Sequence, residues 1–365
     1  MTQHKNNDLN KFDTFVVGSL PRPVWIQQLI EQKKHEERDL DLITTQLNNA
    51  IPMAVEMQTA AGVTYISDGE WRRESYVKIF AESVDGFTLD LSENITPNAF
   101  SLKYPAVTSR ISKIKPIALN ELKFLKSITK KKITVAVPSP YTIGRRMWAA
   151  EYSKEAYPER KMFIEDCIPI LKQEISDLAK AGADSIQIDD PWLSLLVDKK
   201  YREENAIKNI DAEIEISVNS LNSIVDQDIN SVTSVHFCHA HFNRKHGSYG
   251  SYHPIIEALG SINVDRFAME FASPVSEGTS VLKHFPKDKI IGLGVVDHTN
   301  TIVEQPEEIV AQVTEVMNYL PADNITLNPD CGFAPSSANP MNFDEAYLKL
   351  TSMVQASNIL KNKFG

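Results

Sequence analysis

Eight short β-rich runs, each with enough chain of helical period behind it to cross back to the next, mark the 365-residue sequence as an α/β protein of the (β/α)8 TIM-barrel class. Length agrees, because at about 150 residues per domain a single large barrel accommodates the chain as well as two ordinary domains would. Hydrophobic residues make up 42% of the chain and charged residues 24%, enough to build a core and too apolar for disorder. No fixed-period repeat, Pro- or Gly-rich linker or low-complexity block divides the sequence. Residues 1–365 therefore read as one barrel domain, with a polar leader at 1–11 and a hairpin or loop excursion at 83–112, where alternation and turn residues replace helical period.

The runs follow in order. FDTFVVGS (Phe12–Ser19), TYISDGE (Thr64–Glu70), ITVAVPSP (Ile133–Pro140) and SIQIDDP (Ser185–Pro191) form the first half. SVHFCH (Ser234–His239), RFAMEFA (Arg266–Ala272), IIGLGVVD (Ile290–Asp297) and ITLNPDCGF (Ile325–Phe333) form the second. β-branched and aromatic residues dominate them, as strands buried on both faces require. Between them lie patterns such as CIPILKQEISDLAKAG (Cys167–Gly182), whose apolar residues recur at three and four and whose closing Gly182 suits a position just past a helix end.

The formal charge of −10, with Lys and Arg scattered, leaves no basic footprint for a phosphate backbone, so a nucleic-acid partner is not expected. KSITKKK (Lys126–Lys132) reads as a solvated helix end. No apolar stretch approaches the ~20 residues of a membrane span, and the opening MTQHKNNDLNK lacks the apolar core of a signal peptide. Three well-separated cysteines, Cys167, Cys238 and Cys331, suit free thiols or metal ligands in a reducing, cytoplasmic setting. Cys167 sits in a helical apolar pattern and reads as a small buried hydrophobe.

A barrel of this class builds its site at the C-terminal ends of its strands, and there nearly every run carries chemistry. The ends are Gly18-Ser19, Asp68-Gly69-Glu70, Asp189-Asp190, His236-Phe237-Cys238-His239, Glu270, Asp297-His298 and Asp330-Cys331-Gly332. Any one of these fits a capping role, and their joint occurrence favours a site.

His236-Phe237-Cys238 is the sharpest local signal, since residues two apart on a strand share a face and can chelate one ion. Cys331 and Glu270, at the ends of other strands, complete a set of two sulfurs, one nitrogen and one oxygen of the kind zinc prefers. On a continuing strand His239 has the wrong parity to join Cys238, whereas His241 has the right one and is an alternative to His236.

The motifs VGSLPRP (Val17–Pro23), DGEWRR (Asp68–Arg73), IQIDDP (Ile186–Pro191), VHFC (Val235–Cys238), FAMEF (Phe267–Phe271), GLGVVD (Gly292–Asp297) and LNPDCGF (Leu327–Phe333) resemble, in order, the C-terminal catalytic barrel of the cobalamin-independent methionine synthase family. That resemblance implies a TIM barrel with Zn2+ on His236, Cys238, Glu270 and Cys331. It implies homocysteine as the small-molecule thiol substrate, with Glu70 and Asp189 on the ammonium and the Ser19 region on the carboxylate. Asp297 and His298 are its catalytic candidates, although the long enzymes carry Asp-x-His where His298 here follows Asp297 directly. On the residues alone, Glu70 and Asp189 also fit as barrel stabilisers through Arg72, Arg73 or Arg145.

The long enzymes pair two barrels, and 365 residues fit only the second, so the resemblance is to short single-barrel relatives. VPSPYTIG (Val137–Gly144) lacks the tryptophan on which the long enzymes stack folate. The expected reaction is zinc-dependent methyl transfer to homocysteine, giving methionine, from methyltetrahydrofolate, a methylcorrinoid or a methyl-donor partner protein, with Glu270 as the ligand that yields to the incoming sulfur. Alkylation of another thiol such as coenzyme M, a zinc-free decarboxylase of the same barrel type, and a noncatalytic amino-acid- or zinc-binding barrel are the rival readings. Segment 240–254 is read as a loop added beside the site.

Overall fold

Seven parallel strands form one sheet in the order Tyr65–Ile66, Lys132–Pro138, Ser185–Asp189, Val232–Phe237, Arg266–Met269, Ile290–Val296 and Ile325–Pro329. A short bridging segment at 14–15 closes it into a ring in this computed structural model, which describes residues 9–33, 39–95, 101–334 and 341–365. Phe15 N–H donates to Leu327 O at 2.9 Å on one side, and Tyr65 N–H donates to Thr14 O at 2.9 Å on the other. Each expected run thus contributes to the barrel, which is the α/β TIM-like fold read from the sequence. Asp189 and His236 are still paired within the sheet, and Glu70, Cys238, Glu270, Asp297 and Cys331 fall beyond the strand ends, where loops begin. Residues 1–8 of the leader and 96–100 of the excursion lie outside the described residues.

The strands pair in simple parallel register, for example Asp189 with His236 and Ile291 with Ile325. Ile133, Val135, Val137, Ile186, Ile188, Val235, Phe267, Ile291, Leu293, Ile325 and Leu327 are all buried, consistent with helices outside and side chains filling the ring inside. At the N-terminal end of the ring the fully buried Arg266 donates to Thr326 Oγ1 (2.8 Å) and Ser234 Oγ (3.1 Å) and lies 4.0 Å from the Phe15 ring centroid. Burial pulls this guanidinium down to about 9.

Local rules set the helix ends. Leu40–Ala61 is capped by Asp39, whose carboxylate accepts from Leu42 N–H at 3.0 Å, and Asn209 caps Ile210–Ile224 in the same way. Arg160–Lys180 carries Cys167 on its buried face, and Phe343–Phe364 closes the chain. Two crossovers depart from a plain helix. The one after Arg266–Met269 consists of 3-10 turns at Pro274–Ser276 and Thr279–His284, because Pro274, Gly278 and Pro286 interrupt any longer helix. The one after Val232–Phe237 begins with a small hairpin, His241–Phe242 paired with Lys245–His246.

A second hairpin, Val84–Ile95 with Ser101–Lys113, projects from the barrel mouth. Its base is tied down by Lys113 Nζ to Glu174 Oε2 at 2.7 Å and by Ile111 N–H to the Tyr157 hydroxyl at 3.0 Å. Among the described residues no helix is long and apolar enough to cross a membrane.

Candidate metal centre and active site

Three strand ends and one hairpin converge on a point at the C-terminal mouth. Cys238 follows Val232–Phe237, Glu270 follows Arg266–Met269, and Cys331 follows Ile325–Pro329, all three buried. With His241 their ligand atoms all lie within 4.8 Å of one another. The hydrogen bond with Cys238, together with burial, pushes the Cys331 thiol well above the usual thiol range. Two adjacent thiolates would repel in so dry a site, and a cation between them is the natural remedy.

Glu270 is the hub. Its Oε1 accepts from His241 Nε2 in a short contact and from His239 N–H at 3.1 Å, and Oε2 stands 3.7 Å from His246 Nδ1 while accepting no hydrogen bond. Burial raises its carboxyl to about 7. The segment behind it is pinned by Asp330, which accepts from Phe271, Ala272 and Ser273 N–H groups at 2.8–2.9 Å.

His236 lies outside that group of four. Its Nδ1 is 3.0 Å from Asp189 Oδ1, and its Nε2 is buried with no partner. Such an imidazole, held by a carboxylate at one nitrogen and bare at the other, suits metal ligation. The sequence alternative His241 does reach the cluster, for a reason other than strand parity. Pairing ends at Phe237, Ala240 turns at φ 49, and the hairpin carries His241 back over the site. His239, of the wrong parity, points its Nδ1 to Ser248 Oγ at 3.2 Å.

The second group lies around Glu70. This residue adopts φ 57, an uncommon conformation for a side-chain-bearing residue and one often found at functional sites. Arg73 Nη1 lies 3.4 Å from its Oε1, while Arg73 Nη2 pairs with Glu121 Oε2 at 2.5 Å. Burial raises the Glu70 carboxyl to about 7, with Arg73 opposing and Asp189 adding to the rise. Gly18 passes so close at φ 61 that a Cβ there would sit 2.7 Å from Glu70 Oε1. Ser19 Oγ accepts from Ala334 N–H at 3.2 Å, and Phe333 N–H donates to Ser19 O at 2.8 Å, which joins the first run to the loop after Cys331.

His298 is fully buried with both ring nitrogens unpartnered, its ring set edge-on to His241 at 3.9 Å between centroids. Burial and the neighbouring His241 and His246 hold it well below the usual histidine range. Asp297 is not its hydrogen-bond partner. The Asp297 carboxylate accepts from Thr299 N–H (2.7 Å), Thr299 Oγ1 (2.6 Å) and Asn300 Nδ2 (2.6 Å), shaping the loop that presents His298.

Several residues around the site carried no distinctive sequence signal. Arg22, buried in SLPRP, donates to Ala334 O at 2.9 Å and Glu70 O at 3.0 Å. Arg146 donates to the Tyr104 hydroxyl at 2.5 Å and the Tyr76 hydroxyl at 3.4 Å and lies 4.9 Å from the Trp192 ring centroid. Arg244, at the hairpin turn, donates to Asn300 O at 2.9 Å and Glu345 Oε2 at 2.6 Å. Arg22 and Arg244 lie on loops and Arg146 on the helix Pro140–Met147, and each meets partners that are mostly distant in sequence.

A family model described as cobalamin-independent synthase, catalytic domain, matches residues 12–359. The chain is 30% identical over 352 residues to the methionine synthase of Saccharolobus solfataricus, covering 96% of this chain and 95% of that one. It is 29% identical over 363 residues to the methionine synthase of Sulfurisphaera tokodaii, covering 98% and 96%. A B12-independent methionine synthase from a Shewanella species, solved with selenomethionine, superposes with a TM-score of 0.79 at 20% identity over 97% of this chain and 99% of that one, a likeness of fold. The barrel, its strand-end residues and these matches together establish that the chain belongs to the cobalamin-independent synthase catalytic-domain family.

Proposed function

We propose that this protein is a zinc-dependent S-methyltransferase that converts homocysteine to methionine within a single barrel domain. The observation that carries this reading is the meeting of the buried Cys238 and Cys331 thiols with Glu270 and the His241 ring at the barrel mouth, beside the strand that bears His236. Two sulfurs, a carboxylate and imidazole are zinc's preferred donors, and the bare, buried His236 Nε2 and Glu270 Oε2 are atoms a cation would satisfy. His236, Cys238, Glu270 and Cys331 are the residues that would hold it. When bound, the metal supplies a thiolate at neutral pH from a thiol whose ordinary pKa is near 8.5.

The rest of the work falls to the chain. Glu70, whose ionisation the neighbouring Asp189 makes costlier, and Asp189 itself receive the substrate's ammonium, while the Ser19 region receives its carboxylate. Because Asp189 also touches His236, the amino end of the substrate lies beside the metal-binding end of the site, so that the sulfur of a short amino acid reaches the cysteines. His298, buried and neutral, holds or moves a proton at one of its bare ring nitrogens, and Asp297 shapes its loop.

The methyl donor in this reading is an activated carrier, a methylcorrinoid or a carrier on a partner protein. Tyr141, the one aromatic residue of VPSPYTIG, is buried and donates to Glu213 Oε2 at 2.6 Å, so it offers no stacking face. The net charge of −10 also disfavours a polyanionic polyglutamate tail. Methionine formation by zinc-loaded protein from homocysteine and methylcobalamin tests the reading, with coenzyme M as the competing thiol. Preference for the sulfonate, which lacks an ammonium group, would overturn the choice of substrate.

A further inference from the structure

We propose that Lys349 and Arg244 are positioning residues for His298, two cations from different elements that grip the peptide carbonyls on either side of its Cα. His298 holds or moves a proton in the reading above, on which this inference rests. Little holds its imidazole directly. The ring is fully buried, and neither nitrogen has a hydrogen-bond partner among the described residues. Its orientation is therefore set by packing and by the backbone that carries it.

That backbone is gripped at two consecutive carbonyls. Before the Cα, Lys349 Nζ donates to Asp297 O at 2.9 Å. After it, Arg244 Nη1 donates to His298 O at 3.2 Å and to Asn300 O at 2.9 Å. Lys349 is itself fully buried, an uncommon place for a lysine, and its three ammonium protons meet three acceptor groups. Besides Asp297 O these are Ile302 O and the Glu304 carboxylate, whose Oε1 lies 3.2 Å away. The same Oε1 accepts from Asp297 N–H at 2.8 Å, so residues 297–304 close around one ammonium.

Both cations are anchored to one helix face. Glu345, Lys349 and Ser352 recur at four and three along Phe343–Phe364. Glu345 Oε2 accepts from Arg244 Nη2 at 2.6 Å, and Ser352 Oγ donates to Glu304 O in a short contact. Arg244 itself stands at φ 60 in the turn between His241–Phe242 and Lys245–His246. The final helix thus fixes His298 directly through Lys349 and, through Arg244, together with the hairpin that covers the site. A catalytic group misplaced by about 1 Å costs roughly 100-fold in rate, so the grip acts on turnover more than on binding.

The test uses full-length, zinc-loaded protein with isotope-labelled histidine, the variants Arg244→Met and Lys349→Met, and Arg244→Lys, which keeps the cation. The His298 ring signal, assigned from His298→Gln, should shift or split in each Met variant while those of His253 and His284 stay in place. With homocysteine and methylcobalamin, kcat should fall roughly 10–100-fold in each Met variant, with KM for homocysteine within about twofold of the parent. Zinc content should be unchanged, and Arg244→Lys should recover most of the rate. In a His298→Gln background neither Met substitution should lower the rate further. If Lys349→Met does not fold, Arg244→Met, at a partly exposed turn, decides alone. An unmoved His298 signal, or rate losses that persist undiminished in the His298→Gln background, overturns the proposal. Absence of methionine formation by the parent overturns the proposed reaction instead, and the ring signal then still decides the positioning.

Discussion

His236 Nδ1 lies 3.0 Å from Asp189 Oδ1, and the two residues are register partners on neighbouring strands. Gln187 Nε2 donates to the same oxygen at 2.8 Å. A histidine that donates from Nδ1 presents a lone pair at Nε2, so one carboxylate sets the tautomer on the metal side while belonging to the acidic pair on the substrate side. The two halves of the proposed site are therefore joined by a single hydrogen bond.

The consequence separates Asp189 from Glu70. Asp189→Asn should weaken both zinc, by roughly 10–100-fold, and homocysteine. Glu70→Gln should leave zinc affinity within about twofold and weaken homocysteine by roughly 10–100-fold, the loss of one charged hydrogen bond of about 1.5–3 kcal/mol. A thiol of the same length without the amino group should be insensitive to Glu70→Gln. Calorimetric titration of the variants with zinc and then with each thiol measures all of these, and equal weakening of both thiols would remove the ammonium role.

Cys238→Ser and Cys331→Ser should each reduce zinc from one per chain to a small fraction, whereas Cys167→Ser should retain full zinc. Cys167 is buried on the Arg160–Lys180 helix, away from the barrel mouth. Metal analysis after dialysis against a weak chelator reads the difference. Retention of zinc by both Cys238 and Cys331 variants would exclude the assigned site.

Glu70 also predicts a pH effect on stability. Its folded carboxyl sits near 7 because of burial, above the ordinary value of 4.5. The folded state therefore holds a proton that the unfolded chain has lost, and stability falls as pH rises from about 4.5 to 7, after which the cost is constant. Glu70→Gln has no such cost. It should match the parent below about pH 4.5 and exceed it by about 3 kcal/mol above pH 7, the rise from 4.5 to about 7 converted at about 1.36 kcal/mol per unit. Denaturant melts at pH 4, 6 and 8 check the trend. A variant less stable than the parent at pH 8 would show that the Arg73 contact outweighs burial.

How much of this was legible in the sequence differs between ring and site. The eight runs were legible because strands buried on both faces are nearly continuous in β-branched and aromatic residues, and Cys238, Glu270 and Cys331 because barrel chemistry collects at strand ends. His241 could be named only as an alternative, since its approach depends on the turn at Ala240 and on a hairpin that period-two reasoning cannot foresee. Arg22, Arg146 and Arg244 were illegible for a similar reason. Their partners, among them Ala334, Tyr104 and Glu345, are distant in sequence and meet them only in the closed barrel. The crossover after Arg266–Met269 had room for a helix and formed 3-10 turns, because spacing records length while its prolines and Gly278 decide conformation.

In the proposed reaction the methyl donor would distinguish this protein from a folate enzyme. With zinc-loaded protein and homocysteine, methylcobalamin should support methionine formation at least tenfold faster than methyltetrahydrofolate, whether mono- or triglutamate. A methylcorrinoid releases its methyl group more readily than a tertiary amine, which must first be protonated, so less binding surface is required. Efficient turnover with the folate alone would reverse this assignment.

Sulfur coordination on substrate binding tests the proposed reaction most directly. X-ray absorption at the zinc edge should find two sulfur neighbours in the loaded protein, from Cys238 and Cys331, and three after saturation with homocysteine. The increase should be absent with homoserine, which carries oxygen in place of sulfur. A count that stays at two with saturating homocysteine would contradict thiol activation at this centre.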